Sequence, residues 1–199
     1  MYGKVGVQTL SNGSPGPLRI DQRGNLHDSG GGRYTEATLA GRMFAVANQA
    51  VVNVTVGVAA INTGLALCNP VGSGKNFIIH EFGAVNEIAV PTAACTIGIM
   101  TGGGVSAATK VIVARNRLSG GPASVANVDD AVTFTEDAVI EQVFRVFHTG
   151  VVAGGLGSGL YVKLDGSLVV TPGFHVSPYA SAINDATFMF SWLWEEVDA

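Results

Sequence analysis

The chain has 199 residues, of which 47% are apolar and 13% charged, about half the usual charged share of roughly 25%. That length suits one β domain with a sizeable core, and a formal net charge of −4 argues against nucleic-acid binding through a broad basic surface. So few charges leave little to coat a bare surface: either it is rich in uncharged polar groups or, as is expected here, copies or partners cover much of it.

The chain opens on an arm. Residues 1–42 carry five Lys/Arg against three Asp/Glu, whereas residues 43–199 carry six against twelve. A mildly basic arm can therefore dock on an acidic neighbour. Asn12-Gly13-Ser14-Pro15-Gly16-Pro17 cannot hold a regular element. Gln22-Arg23-Gly24-Asn25 reads as a tight turn and Gly30-Gly31-Gly32 as a flexible joint. Lys4 is followed by a polar stretch with no apolar leader, which predicts synthesis in a reducing cytosol. Residues 34–44 fit a short helix or a strand leading into the body.

Residues 43–74 lack any charge and are long enough to cross a bilayer. Yet Val52, Val54, Val56 and Val58 alternate with Asn53, Thr55 and Gly57, which is a strand period, so no membrane partner is expected. From residue 50 onward β-runs are predicted at 51–60, 65–68, 77–90, 94–101, 110–115, 131–135, 139–148, 160–164, 167–170, 174–179 and 186–197, separated by Gly- and Pro-rich turns. The run at 139–148 also fits helical spacing, but its β-branched and aromatic content favours strand. Asp165-Gly166 is a two-residue hairpin signal, and Pro172-Gly173 turns the chain again. In the last run Phe188, Phe190, Trp192 and Trp194 share one face, while Thr187, Met189, Ser191 and Leu193 share the other. Both faces are largely apolar, which predicts a central strand or one covered by core and partner, with Glu195-Glu196 ending the burial. The Phe188/Trp192/Trp194 strand or its neighbours are thus candidates for a self-association face.

Several motifs look chemical. His27-Asp28-Ser29-Gly30-Gly31 is similar to the surroundings of a serine nucleophile, but it lies in the arm, where no scaffold fixes a triad. The stretch from Asn69 to Asn76 approximates a phosphate-binding loop, but Asn69 replaces the first glycine, Asn76 replaces Ser/Thr and a strand follows instead of a helix. It reads as a Gly-rich hairpin connection. His27, His80, His148 and His175 are scattered without zinc spacing. Asp129-Asp130 with Asn127 lacks a calcium-loop pattern and reads as a solvated loop. Glu136 and Asp137, being adjacent, would point to opposite faces of a strand. Cys68 and Cys95 read as buried free thiols. No catalytic, cofactor-binding or metal-binding residue is assigned, no cofactor is implied, and no enzymatic activity is expected.

Three stretches taken together carry a resemblance: GRYTEATLAGRMF near the start, LCNPVGSGKNFIIHEF, and the tail DGSLVVTPGFHVSPYAS with FMFSWLWEEV. They resemble β-sandwich virion structural proteins of tailed bacteriophages, of the capsid decoration (cement) or head-fibre type. The resemblance implies an all-β, antiparallel, jelly-roll-like sandwich at 43–199 behind an extended arm at 1–42. It also implies assembly in the host cytoplasm into a virion, self-association (a homotrimer) and contact with a major capsid protein or other virion proteins, without direct nucleic-acid contact. The alternative function is a carbohydrate- or receptor-binding module of a head fibre or tail, for which Tyr161, Tyr179 and the loop at 127–130 are the candidate contacts.

Overall fold

The structure is a computed structural model that describes residues 34–58, 60–86, 94–105, 111–147, 159–182 and 187–199. Residues 1–33, on which most of the arm reading and the His27-Asp28-Ser29 motif fall, lie outside the described residues, as does His148. The compact body runs from Ala37 to Ala199. Residues 34–44 combine both expected forms, a five-residue helix α1 (Thr35–Leu39) and then the start of strand β1 (Met43–Ala47).

Nine further strands follow among the described residues. They are β2 (Ile61–Cys68), β3 (Lys75–Asn86), β4 (Cys95–Gly102), β5 (Arg115–Asn116), β6 (Asn127–Thr133), β7 (Val139–Phe147), β8 (Gly159–Val170), β9 (His175–Ala180) and β10 (Phe188–Asp198). They form two five-stranded sheets, ordered β5-β1-β10-β3-β8 (sheet 1) and β6-β2-β9-β4-β7 (sheet 2). All named pairings are antiparallel. With the edge strands β5 and β6 set aside, β1 pairs with β10, β2 with β9, β3 with β8 and β4 with β7. That is a long hairpin wrapped over itself, the strand order of a jelly roll. The chain is therefore an all-β antiparallel sandwich, as the turn spacing predicted.

The last strand holds the core together. Phe188, Phe190, Trp192 and Trp194 point inward with at most 1% exposure. Phe82 lies across them, its ring centroid 4.5 Å from that of Trp192 and 6.0 Å from that of Phe190. Leu65, Leu67, Ile97, Ile99, Val128 and Val176 of sheet 2 close over this layer. Two polar ties cross between the sheets: Trp192 Nε1 donates to the Leu65 carbonyl at 2.8 Å, and Asn48 Nδ2 donates to the Gly64 carbonyl at 3.1 Å. Asn48 Oδ1 in turn accepts from the Phe190 amide at 2.8 Å. The aromatic face offered by the sequence for self-association is thus the interior of a single copy, because a twelve-residue β3 on one side and β1 on the other make β10 a central strand.

Four local expectations are corrected. The described residues of 51–60 form no named strand; Val52 and Val56 make isolated bridges to Phe188 and Ala180. This segment carries the chain from sheet 1 to sheet 2 and so sits in neither ladder, while Val52 and Val54 pack on the core. Among the described residues of 110–115 only Arg115 is in a strand; Ile112 and Ala114 plug the core, with the amides of Val111 and Ile112 both donating to the Val128 carbonyl. Asp165-Gly166 does not reverse the chain. Both flanking runs pair with β3, Lys163 opposite Glu81 and Leu168 opposite Ile79, so the two residues bulge out of one continuous strand. Glu196 is buried at 5% exposure, its carboxylate accepting from the Ser124 hydroxyl and the Trp194 indole, so burial extends past Glu195.

Candidate binding groove

On the outer face of sheet 1 the side chains that oppose the core rows define a depression. Cross-strand register places Ala47, Ser191, Gly83 and Tyr161 in one row over β1, β10, β3 and β8. The next row is Arg115, Ala45, Leu193, Glu81 and Lys163, starting from β5. Small side chains in the first row make a floor. Gly83 keeps that floor low: a Cβ would lie 2.5 Å from Ser191 Oγ, inside van der Waals contact, so a larger residue would displace the Ser191 hydroxyl.

The resulting cavity measures about 590 Å³, and its rim carries Arg115, Arg117, Glu81, Gln49 and Tyr161. That volume lies in the range of small-ligand sites, roughly 300–1,000 Å³. A second depression of about 350 Å³ continues past Gly83 and Tyr161 to Val85, Gly159 and Met189. From β5 to β8 the groove crosses five strands, about 19 Å at roughly 4.8 Å per strand spacing. Among the described residues the side chains of Arg115 and Arg117 have no ion-pair or hydrogen-bond partner, nor does that of Glu81. Beside the groove Arg42 Nε meets Glu195 at 2.8 Å, and His80 Nε2 lies 3.7 Å from the same carboxylate.

The residues proposed from sequence for ligand contact do not gather. Tyr161 is on the groove, 60% exposed. Tyr179 is half-buried on β9 in the other sheet. Asn127, Asp129 and Asp130 belong to strand β6 and not to a loop; Asp129 is buried and its carboxylate accepts from the Ala131 amide at 3.0 Å. Arg115, Arg117 and Glu81 were missed, since the only signal, charges at alternate positions of short runs, is shared with any solvated strand.

The discounted motifs resolve into structural roles. Asn69 spends its hydrogen-bonding capacity locking two connections that pass between the sheets. Its Nδ2 donates to the carbonyls of Lys75 (2.7 Å) and Val170 (2.9 Å), its Oδ1 accepts from the Ser73 hydroxyl (2.6 Å), and its amide and carbonyl bond Phe174 and Gly173. The segment is an arch from sheet 2 to sheet 1, in place of the expected hairpin connection. His175, on the outer face of sheet 2, is fully buried and stacks on Phe134 at a centroid distance of 3.4 Å and an angle of 4°. Neither ring nitrogen has a hydrogen bond of good geometry. Burial lowers its pKa to about 4, partly offset by the Gly103 backbone. Cys68, opposite His175 in the β2–β9 ladder, has its thiol pushed far up by burial and then by Asp129, so it is poorly nucleophilic. Cys68 and Cys95 are both free and buried. Among the described residues no group of three or more His, Cys, Asp or Glu is arranged to hold a metal ion, and no helix is long and apolar enough to cross a membrane.

Comparison with protein-family models, with curated proteins and with solved structures finds no match.

Proposed function

We propose that the chain is a structural subunit of a symmetric protein assembly, with a viral particle as its setting, where it associates with copies of itself and with the shell. The observation that carries this reading is strand β7. Among the described residues it is an edge of sheet 2, and Val139, Ile140, Val143 and Val146 stand 65%, 40%, 55% and 40% exposed along nine residues that hold only Glu141 and Arg145 as charges. Exposed apolar side chains along an edge strand mark an interaction site or an aggregation site. Two register shifts in the pairing of β7 with β4 distort that edge, which disfavours open-ended strand addition and leaves the contact to side chains. Closed cyclic symmetry buries such side chains against a matching set, and the resemblance to phage decoration proteins makes a trimer the expected ring. The low charge fraction and the jelly-roll strand order, one that viral capsid domains use, support the same reading.

The test is light scattering on the full chain and on the variant carrying Ile140→Lys with Val143→Lys. Both positions are exposed, so the fold should survive, as far-ultraviolet circular dichroism can check. An oligomer of fixed stoichiometry that the variant converts to monomer is the expected result. A wild-type chain that stays monomeric at millimolar concentration would overturn self-association through β7.

A further inference from the structure

We propose that the groove across the outer face of sheet 1 is a binding site for an acidic oligosaccharide, with Arg115 and Arg117 holding a sugar carboxylate and Tyr161 stacking on a ring at the other end. The reading goes beyond the assembly role and does not rest on it. The groove is on the outer face of sheet 1, and β7 is an edge of sheet 2.

Charge complementarity selects the occupant. Arg115 and Arg117 are two residues apart and line one cavity, and neither guanidinium has a partner among the described residues. Alternate residues of an extended segment lie about 7 Å apart, close enough for both forks to reach one carboxylate, the anion whose planar geometry matches a guanidinium best. The floor beyond them is apolar and low, made by Ala45, Ala47 and the Gly83/Ser191 contact. It suits the C–H face of a sugar ring. Glu81, half-buried and without a partner among the described residues, sits between the arginines and the tyrosine, where a carboxylate accepts hydrogen bonds from hydroxyls. It also repels a second acidic group at that position, which predicts a ligand whose acid and neutral units are separated.

The direction of the groove argues against a peptide. It runs across the strands, and the backbone groups of β1, β10 and β3 beneath it are already paired with their neighbours. An extended peptide laid there could not add to a sheet edge and would gain no backbone hydrogen bonds from the floor. A saccharide needs none, because its hydroxyls are met by side chains.

The experiment is isothermal titration of the full chain with sialyllactose against lactose, and with tetragalacturonate against maltotetraose, at 50 mM and 300 mM salt. At least one acidic sugar should bind at least tenfold more tightly than its neutral counterpart, and more weakly at the higher salt. Arg115→Ala with Arg117→Ala should abolish that preference, and Tyr161→Ala should weaken binding at least fivefold. These side chains are surface-borne, and an unchanged melting temperature would confirm that the variants fold. Failure of both acidic sugars to bind at 10 mM would overturn the proposal. Equal binding of the neutral sugars, or an equal affinity for oligoglutamate that Tyr161→Ala leaves untouched, would also overturn it; the latter would reduce the groove to a general anion surface.

Discussion

His175 occupies an expensive place for an ionisable ring. It is sealed against Phe134 with no well-formed hydrogen bond at either nitrogen, so the fold favours the neutral form. Its pKa near 4 in the folded chain lies below the ordinary histidine value of 6.5, so the unfolded chain binds the proton more tightly. The stability this neutral ring contributes is fully present above pH 6.5 and is lost as pH falls toward 4. The loss amounts to roughly 2–3 kcal/mol by pH 4.5, at about 1.36 kcal/mol per pH unit. Urea titrations at pH 7 and pH 4.5 should give that excess loss in the wild-type chain relative to His175→Phe, which keeps an aromatic stack and cannot charge. Equal losses in both chains would place the acid sensitivity elsewhere. The sequence offered His175 only as one of four scattered histidines; what sets its chemistry is Phe134, brought over it from a segment forty residues away.

Strands were most legible where one face had to be buried, and least where the chain changes sheets. The alternation of Phe188, Phe190, Trp192 and Trp194 with a second apolar row marked β10 as central, and its pairing with β1 and β3 bears that out. The valines of 51–58 alternate just as cleanly, yet they sit in a crossing segment, because period-two alternation reports burial on one side and not membership of a ladder. Asp165-Gly166 shows the same limit. Both residues have positive φ, 56° and 81°, the left-handed pair that a two-residue hairpin needs. Whether the chain then reverses is decided by β3, which is long enough to pair with both flanking runs. The bulge makes its own demand: a Cβ on Gly166 would come within 3.0 Å of Ile78 Cγ2 at a φ that a branched residue rarely adopts. Gly166→Val should therefore cost about 1–3 kcal/mol of stability, read from the urea midpoint. An unchanged midpoint would mean that the bulge relaxes freely. The groove was the least legible feature, since Arg115, Ala47, Ser191, Gly83 and Tyr161 come from five strands and meet only through register.

At the scale of the whole molecule, the two sheets are joined by apolar packing and by a few hydrogen bonds that cross the interior. The indole of Trp192 is the chief of these, and its acceptor, the Leu65 carbonyl, belongs to a fully buried residue. Trp192→Phe keeps an aromatic ring but strands that carbonyl and leaves a void, and it should cost about 2–4 kcal/mol. Equilibrium unfolding followed by circular dichroism reads this directly; a cost below 1 kcal/mol would show that the tie is replaceable. The position of β10 has a further consequence, for synthesis. It is the last of the described strands to be made and it fills the slot between β1 and β3. Until residue 198 has left the ribosome, Phe44, Phe77 and Phe82 on the waiting strands have no aromatic row to cover them. Sheet 1 therefore completes only after translation has passed β10, by closure between segments some 150 residues apart. A chain of this kind folds on the slow, millisecond-to-second side of small domains and depends on shielding from its neighbours while it waits.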